Sequence, residues 1–155
     1  MTTGISYLLI TGVPGSGKTT LARKLCRQPG YNRWASWTTR APRPGEIAGF
    51  DYLFVTAAEF GTAEAAGQML ESISGPGGAR YGLPRLENGA AKGRWVAIVD
   101  ENAIDRVAGM LAPADAGTVR LEVPRNVAEL RLRARGDHED DVAVRLAWAR
   151  RPVRQ

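Results

Sequence analysis

The sequence predicts an α/β protein in three layers, with a parallel central sheet and helices on both faces. Three observations carry that expectation. Short apolar runs that read as strands recur at Ile5 to Thr11, Trp95 to Val99 and Val119 to Val123, each followed by a segment with helical spacing. Strands alternating with helices imply a parallel sheet with both faces covered. The first strand also runs directly into Gly12-Val13-Pro14-Gly15-Ser16-Gly17-Lys18-Thr19, a G-x-x-x-x-G-K-T run, and then into a helix. At 155 residues, 44% hydrophobic and 24% charged, the chain suits one globular domain with a single sizeable core.

The glycine run is the phosphate-binding loop of the P-loop nucleotide-binding enzymes, in the strand–loop–helix context that separates a real match from a chance one. Glycines let the backbone curl so that several N–H groups point at phosphate oxygens. The N-terminus of the following helix adds its positive end. The expected donor-phosphate cradle is Gly12, Val13, Pro14, Gly15, Ser16 and Gly17 with Lys18, Thr19 and Thr20. Lys18 would reach the β and γ phosphates of ATP, and the Thr19 hydroxyl would hold Mg2+.

Bulk properties narrow the class. No apolar run is long enough to span a bilayer, and the first residues lack the pattern of a secretory signal. One cysteine, Cys26, excludes an internal disulfide and is expected to be a core filler. A cytoplasmic protein without a membrane partner is the expectation. The net charge is +5 and the isoelectric point is near 9.9. The arginines are spread along the chain without a basic tract, so the charge is assigned to a site for several phosphates rather than to nucleic acid.

Taken in order, Lys18 to Arg27 forms the first helix, with Leu21, Ala22 and Leu25 on one face and Pro29-Gly30 as the stop. Trp34 to Thr39 is β-prone, and Pro42-Arg43-Pro44-Gly45 must be a loop. Arg40 and Arg43 suit a clamp on a second anion, although alone they read first as a solvated loop. Gly49 to Val55 is strand-like, and Thr56-Ala57-Ala58-Glu59 has capping-box spacing for a helix ended by Gly67. Met69 to Ile73 is a further strand candidate, and Gly75 to Gly78 a turn leading to Arg80-Tyr81-Gly82. Leu86 to Lys92 is expected to be a short helix, and Asn102 to Leu111 a helix burying Ile104, Val107 and Leu111. Asn126 to Arg135 is a helix with Asn126 and Glu129 at capping-box spacing, stopped by Gly136. Asp140 to Arg150 is the last helix, ended by Pro152. The four tryptophans are expected to pack rather than to stack on bases, and His138 to sit exposed on a loop tip.

Ser36-Trp37-Thr38-Thr39-Arg40-Ala41-Pro42-Arg43-Pro44-Gly45-Glu46, followed by Gly49, Asp51-Tyr52 and Phe54-Val55, resembles the guanylate kinase signature. Arg131 to Gly136 and Arg145-Leu146 resemble that family's lid and the helix after it. The resemblance runs from Leu8 to about Arg150. It implies a kinase that moves the γ-phosphoryl of ATP, with Mg2+, to GMP, dGMP or a related purine monophosphate. It also implies one domain: a core of residues 1–33 and 84–155, an acceptor-binding insertion at about 34–83, and a short lid at about 131–145. Ser36, Arg40, Arg43, Tyr52 and Tyr81 would hold the acceptor monophosphate. Glu71 would accept hydrogen bonds from guanine N1–H and N2–H. Lys18, Arg40, Arg131, Arg135 and Arg145 would serve the transfer, and Asp100 would join Thr19 at the metal.

Three departures qualify what the resemblance implies. Leu83 and Pro84 stand where the family has a small hydroxyl residue against the guanine, so one base contact is lost and base specificity is expected to relax. Ile98 stands at the first of two family acids if Asp100 is the second; a shifted register would use Asp100 and Asn102. The chain given stops at Gln155, so a sheet one strand narrower and a thinner wall around the donor adenine are expected. The alternatives are a ribose bisphosphate type kinase and a non-catalytic nucleotide-binding or interaction module.

Overall fold

The computed structural model describes residues 5–87, 92–111 and 115–149. In chain order the elements are β1 (Ile5–Gly12), α1 (Lys18–Cys26), β2 (Tyr31–Arg33), β3 (Ser36–Thr38), β4 (Tyr52–Phe54), α2 (Ala57–Ala65) and β5 (Met69–Ser74). They continue with β6 (Arg80–Pro84), β7 (Gly93–Ile98), α3 (Ile104–Met110), β8 (Ala116–Leu121), α4 (Arg125–Ala134) and α5 (Glu139–Ala149). The strands form two four-stranded sheets, ordered β2-β7-β1-β8 and β4-β3-β6-β5.

The first sheet is parallel throughout, and its register sorts the core into two faces. Leu9 lies beside Ala97, and Ile10 beside Ile98. Because side chains alternate along a strand, Leu9, Ala97 and Val99 face Ile104 and Val107 of α3. Ile10 and Val96 face Ala22 of α1, with Leu21, Leu25 and half-buried Cys26 alongside. A helix on each face gives the expected three layers. Cys26 is the core filler anticipated, with its thiol pKa raised by burial.

The chain leaves this sheet at Trp34. Its indole is buried among the α3-side core residues. Its backbone N–H donates to Val96 O at 2.9 Å and its Nε1–H donates to Pro84 O at 2.8 Å. Trp34 thus ties the start of β3 to the end of β6 at the junction between sheets. In the second sheet β3 is parallel to β4 and antiparallel to β6, and β6 is antiparallel to β5. Fully buried Phe60 of α2 packs there with Ala63 and Met69. A Cβ on Gly82 would lie 2.8 Å from the Phe60 ring, so β6 needs a glycine there.

Several local expectations are corrected. Tyr31–Arg33 is a strand that no periodicity announced. Of Gly49 to Val55, Tyr52–Phe54 is strand, because Phe50 and Asp51 turn back to Ile47 O instead. The helix α2 has the capping box its sequence predicts; α4 does not. It begins at Arg125 without a side-chain cap, and Glu129 pairs with Arg125 one turn back, at 2.6 Å. In β8 the ladder runs Ala116–Leu121, displaced toward the N-terminus by its register with β1. Of the helix expected over Leu86 to Lys92, Leu86, Glu87 and Lys92 are not helical, and the rest falls on residues 88–91, outside the described ones. The end of the last helix and its proline stop lie outside them too.

Candidate active site

The loop between β1 and α1 is shaped by backbone geometry that only glycine tolerates readily. Gly15 and Gly17 take φ of 81° and 98°. A Cβ on Gly12 would meet Leu121 O at 2.4 Å, and one on Gly15 would meet Ala128 O at 2.7 Å. Ser16 Oγ is buried without a hydrogen-bond partner among the described residues. A buried unpaired hydroxyl at a helix N-terminus is a ready site for a phosphate oxygen. Lys18 Nζ donates to Gly12 O at 2.6 Å and Val13 O at 2.9 Å, so its ammonium is folded back over the loop.

Burial, reinforced by the nearby Arg145 charge, lowers the Lys18 pKa from 10.5 to about 8; Glu101 and Asp100 oppose this. The sign follows from linkage. The folded empty protein binds fewer protons at this group than the unfolded chain does between about pH 8 and 10.5, so this group makes stability rise with pH over that window. A bound triphosphate favours the charged amine and raises its pKa. Binding therefore takes up a proton above pH 8. ATP affinity is expected to fall as pH rises from 8 to 9.5, with proton uptake visible by calorimetry in buffers of different ionisation enthalpy. A flat affinity across that range would count against the Lys18 contact.

Beside the loop opens a cavity of about 500 Å³ lined by residues of both sheets. Gly12, Pro14 and Lys18 border it from the loop, and Ser36, Arg40, Arg43, Tyr52, Glu71, Tyr81 and Leu83 from the second sheet and its connections. Asp100, Glu101 and Asn102 border it after β7, and Arg145 from α5. Lys18, Asp100 and all the residues expected to hold an acceptor thus meet in one cleft. Thr19 and Thr20 are exposed on the first turn of α1. Arg131 and Arg135 are exposed and do not border the cavity.

The arginines are held rather than loose. Arg40 donates from both terminal nitrogens to Glu46, each at 2.7 Å, and the Arg43 backbone N–H donates to Glu46 at 2.7 Å. Burial pulls the Arg40 pKa down, but the hydrogen bonds and charge of Glu46 outweigh it and raise it. Its guanidinium lies 4.9 Å from the centre of the Tyr52 ring. Arg131 Nη1 donates to Gly15 O at 3.2 Å, bringing α4 onto the loop. Asp137 accepts from Arg135 at 2.9 and 2.6 Å, and also from Arg145. Burial, then the Arg43 and Arg135 charges, lower the Arg145 pKa. Those causes place the fields of Arg43, Arg135, Arg145 and Lys18 on one another, which is a site built for a polyanion.

Sequence reasoning missed four residues that organise the cleft. Glu46 stood in the quoted signature with no role, and Asp137 in an acidic stretch. Glu101 borders the cavity and pairs with Arg120 at 3.4 Å. Asp51, buried, pairs with Arg23 of α1 at 2.5 Å and accepts from Ile47 N–H at 2.7 Å. Its charge in an otherwise apolar strand candidate was the available signal. Leu83 is 3% exposed and borders the cavity, so where a hydroxyl was expected from the resemblance the lining is apolar. Asn102 donates to Asp100 Oδ1 from its backbone and side chain. Both border the cavity with Ile98. His138 is exposed, as anticipated.

The fold and the glycine loop define a P-loop phosphotransferase with a second sheet facing its loop. The guanylate kinase family model matches residues 5–149. A guanylate kinase of Thermosynechococcus vestitus is 43% identical over 148 residues, covering 92% of this chain and 76% of that protein. One from a Nostoc species is 36% identical, covering 94% of this chain and 75% of its own. The crystal structure of guanylate kinase from Anaplasma phagocytophilum aligns with a TM-score of 0.65 at 25% identity, covering 92% of this chain and 70% of that one. The chain belongs to the guanylate kinase family, whose members are ATP-dependent phosphotransferases.

Proposed function

We propose that this protein transfers the γ-phosphoryl group of ATP to the phosphate of GMP or dGMP. The observation that carries the reading is that Lys18, Arg43, Arg145 and Glu71 border one cleft. Three cations suit a transferring phosphoryl group between two other phosphates, and a carboxylate suits the paired donors of a guanine edge.

In this reading the P-loop amides and Lys18 hold the donor tail. Ser36, Arg40, Arg43, Tyr52 and Tyr81 hold the acceptor phosphate. An acceptor oxygen attacks the γ-phosphorus as the bond to the β-phosphate oxygen breaks, and ADP leaves with that electron pair. The attacking oxygen is already ionised, so no general base is required. Arg145, with Arg131 and Arg135, neutralises charge spreading over the equatorial oxygens. The second sheet (about 34–83) serves as the acceptor unit and residues 131–145 as the lid, which together exclude water.

The chemistry of the residues present fits Mg2+. When bound, it would supply positive charge to offset that of the donor phosphates. The Thr19 hydroxyl and the Asp100 carboxylate are the hard oxygen donors that would hold it. Among the described residues no three acidic, histidine or cysteine side chains gather as a metal cage; Mg2+ is characteristically bound with substrate phosphates rather than by such a cage.

Leu83 supports an acceptor pocket with one hydrogen bond fewer to the base, a loss of about 1–3 kcal/mol in discrimination. Modified purine monophosphates that keep N1–H and N2–H are therefore within reach. Cytoplasmic location is part of the proposal; among the described residues no helix is long and apolar enough to cross a membrane. The test is a coupled assay of ADP release over a panel of monophosphates and ribose bisphosphate. GMP and dGMP are expected to turn over fastest, at about 1–100 per second. ATP binding with no acceptor turned over, or ribose bisphosphate leading the panel, would defeat the reading.

A further inference from the structure

The Glu71 carboxylate is already taken. Its side chain is 9% exposed, and one guanidinium occupies both its oxygens: Arg106 Nε donates to Oε2 at 3.0 Å and Arg106 Nη2 donates to Oε1. The two residues belong to different layers. Glu71 stands on β5 of the second sheet, and Arg106 on α3, which packs against the first. The Arg106 side chain is 54% exposed. Glu71 borders the cavity, while Arg106, which holds both its oxygens from α3, does not.

A side-on guanidinium offers two parallel N–H donors to the two forward lone pairs of a carboxylate. A guanine edge offers N1–H and N2–H in the same arrangement and needs the same two lone pairs. Both cannot be satisfied at once. We propose that Arg106 stands in for the acceptor's base on Glu71 in the empty protein, so that base binding is an exchange of one donor pair for another. The proposal rests on the reading of Glu71 as the guanine acceptor. The exchange keeps a buried carboxylate from ever being bare, which would be costly. It also sets acceptor affinity, because the pair with Arg106 must open before both oxygens of Glu71 can meet the base. An adenine edge presents a donor beside an acceptor and regains at most one bond, so it leaves Arg106 in place.

The experiment is calorimetric titration of the whole chain with GMP and with AMP, for the wild type, Arg106→Leu and Arg106→Gln. Wild-type turnover of GMP is measured first. Its absence, or failure of the wild type to bind GMP, would remove the functional reading, and this proposal with it, irrespective of the variants. With the wild type active on GMP, GMP affinity is expected to rise about tenfold in both variants, the scale of a charge-assisted contact that no longer has to be broken, and AMP affinity to rise less. Equal gains for both nucleotides, no gain for GMP, or weaker GMP binding would overturn it. The last result would mean that Arg106 orients Glu71 rather than competing for it. Without nucleotide the variants are expected to melt below the wild type, because Glu71 is then bare, and GMP is expected to restore most of the loss; a loss that saturating GMP leaves unchanged would show a purely structural pair and overturn it as well.

Discussion

Lys18→Ala is expected to lower kcat by at least about 10³-fold while the protein stays folded. In the proposed mechanism the ammonium meets the charge that accumulates during transfer, and among the described residues no second lysine borders the cavity. Its contacts in the empty protein are to Gly12 O and Val13 O, so truncation costs two hydrogen bonds. The cost to the fold is offset, because burial already lowers this lysine's pKa to about 8. At pH 7 the folded protein therefore carries a charge it holds less favourably than the unfolded chain does, and removing the group removes that penalty. Steady-state kinetics with a thermal melt on the same sample decides it. Wild-type kcat in a folded variant would defeat the donor-loop mechanism; a collapsed melting curve would show that Lys18 holds the loop together.

Arg145→Ala is expected to lower kcat about 10²- to 10³-fold, with a smaller change in the acceptor KM. Arg145 borders the cleft from α5, and the charges acting on it and on Lys18 tie it to Arg43 on one side and the P-loop on the other. A guanidinium between donor and acceptor cations is best used when charge spreads over the transferring group, so its loss should appear in kcat. Asp137 keeps its Arg135 bonds in the variant, so the pairing in the connection between α4 and α5 survives. Arg145→Lys keeps the charge but loses the planar fork, and should recover only part of the rate. A KM effect with unchanged kcat would move Arg145 from the transfer step to acceptor binding.

Much of this was legible in the chain, and the reason is local. The G-x-x-x-x-G-K-T run encodes its own backbone, since positive φ at Gly15 and Gly17 is a property of those residues. The capping box of α2 needs only Thr56 and Glu59 one turn apart. Where a local signal had a competitor it misled. Asn126 and Glu129 have the same spacing, but Pro124 carries the chain into α4 a residue earlier, and Glu129 is drawn to Arg125. The strands β2 and β6 were not expected, because three half-buried residues or a glycine-broken run show no alternation until neighbours exist on either side.

By itself, the sequence determined the phosphate loop, the alternation that makes the first sheet parallel, and the residue types of an arginine-rich acceptor face. Each follows from conformational limits or burial periods that act within a few residues. Tertiary structure alone decided that Lys18, Arg43, Glu71 and Arg145 border one cavity, that Asp137 gathers Arg135 and Arg145, and that Arg106 claims Glu71 from 35 positions away. Those pairings depend on how two sheets meet at Trp34. Charges brought together by the burial of other residues leave no period in the chain for a reader to find.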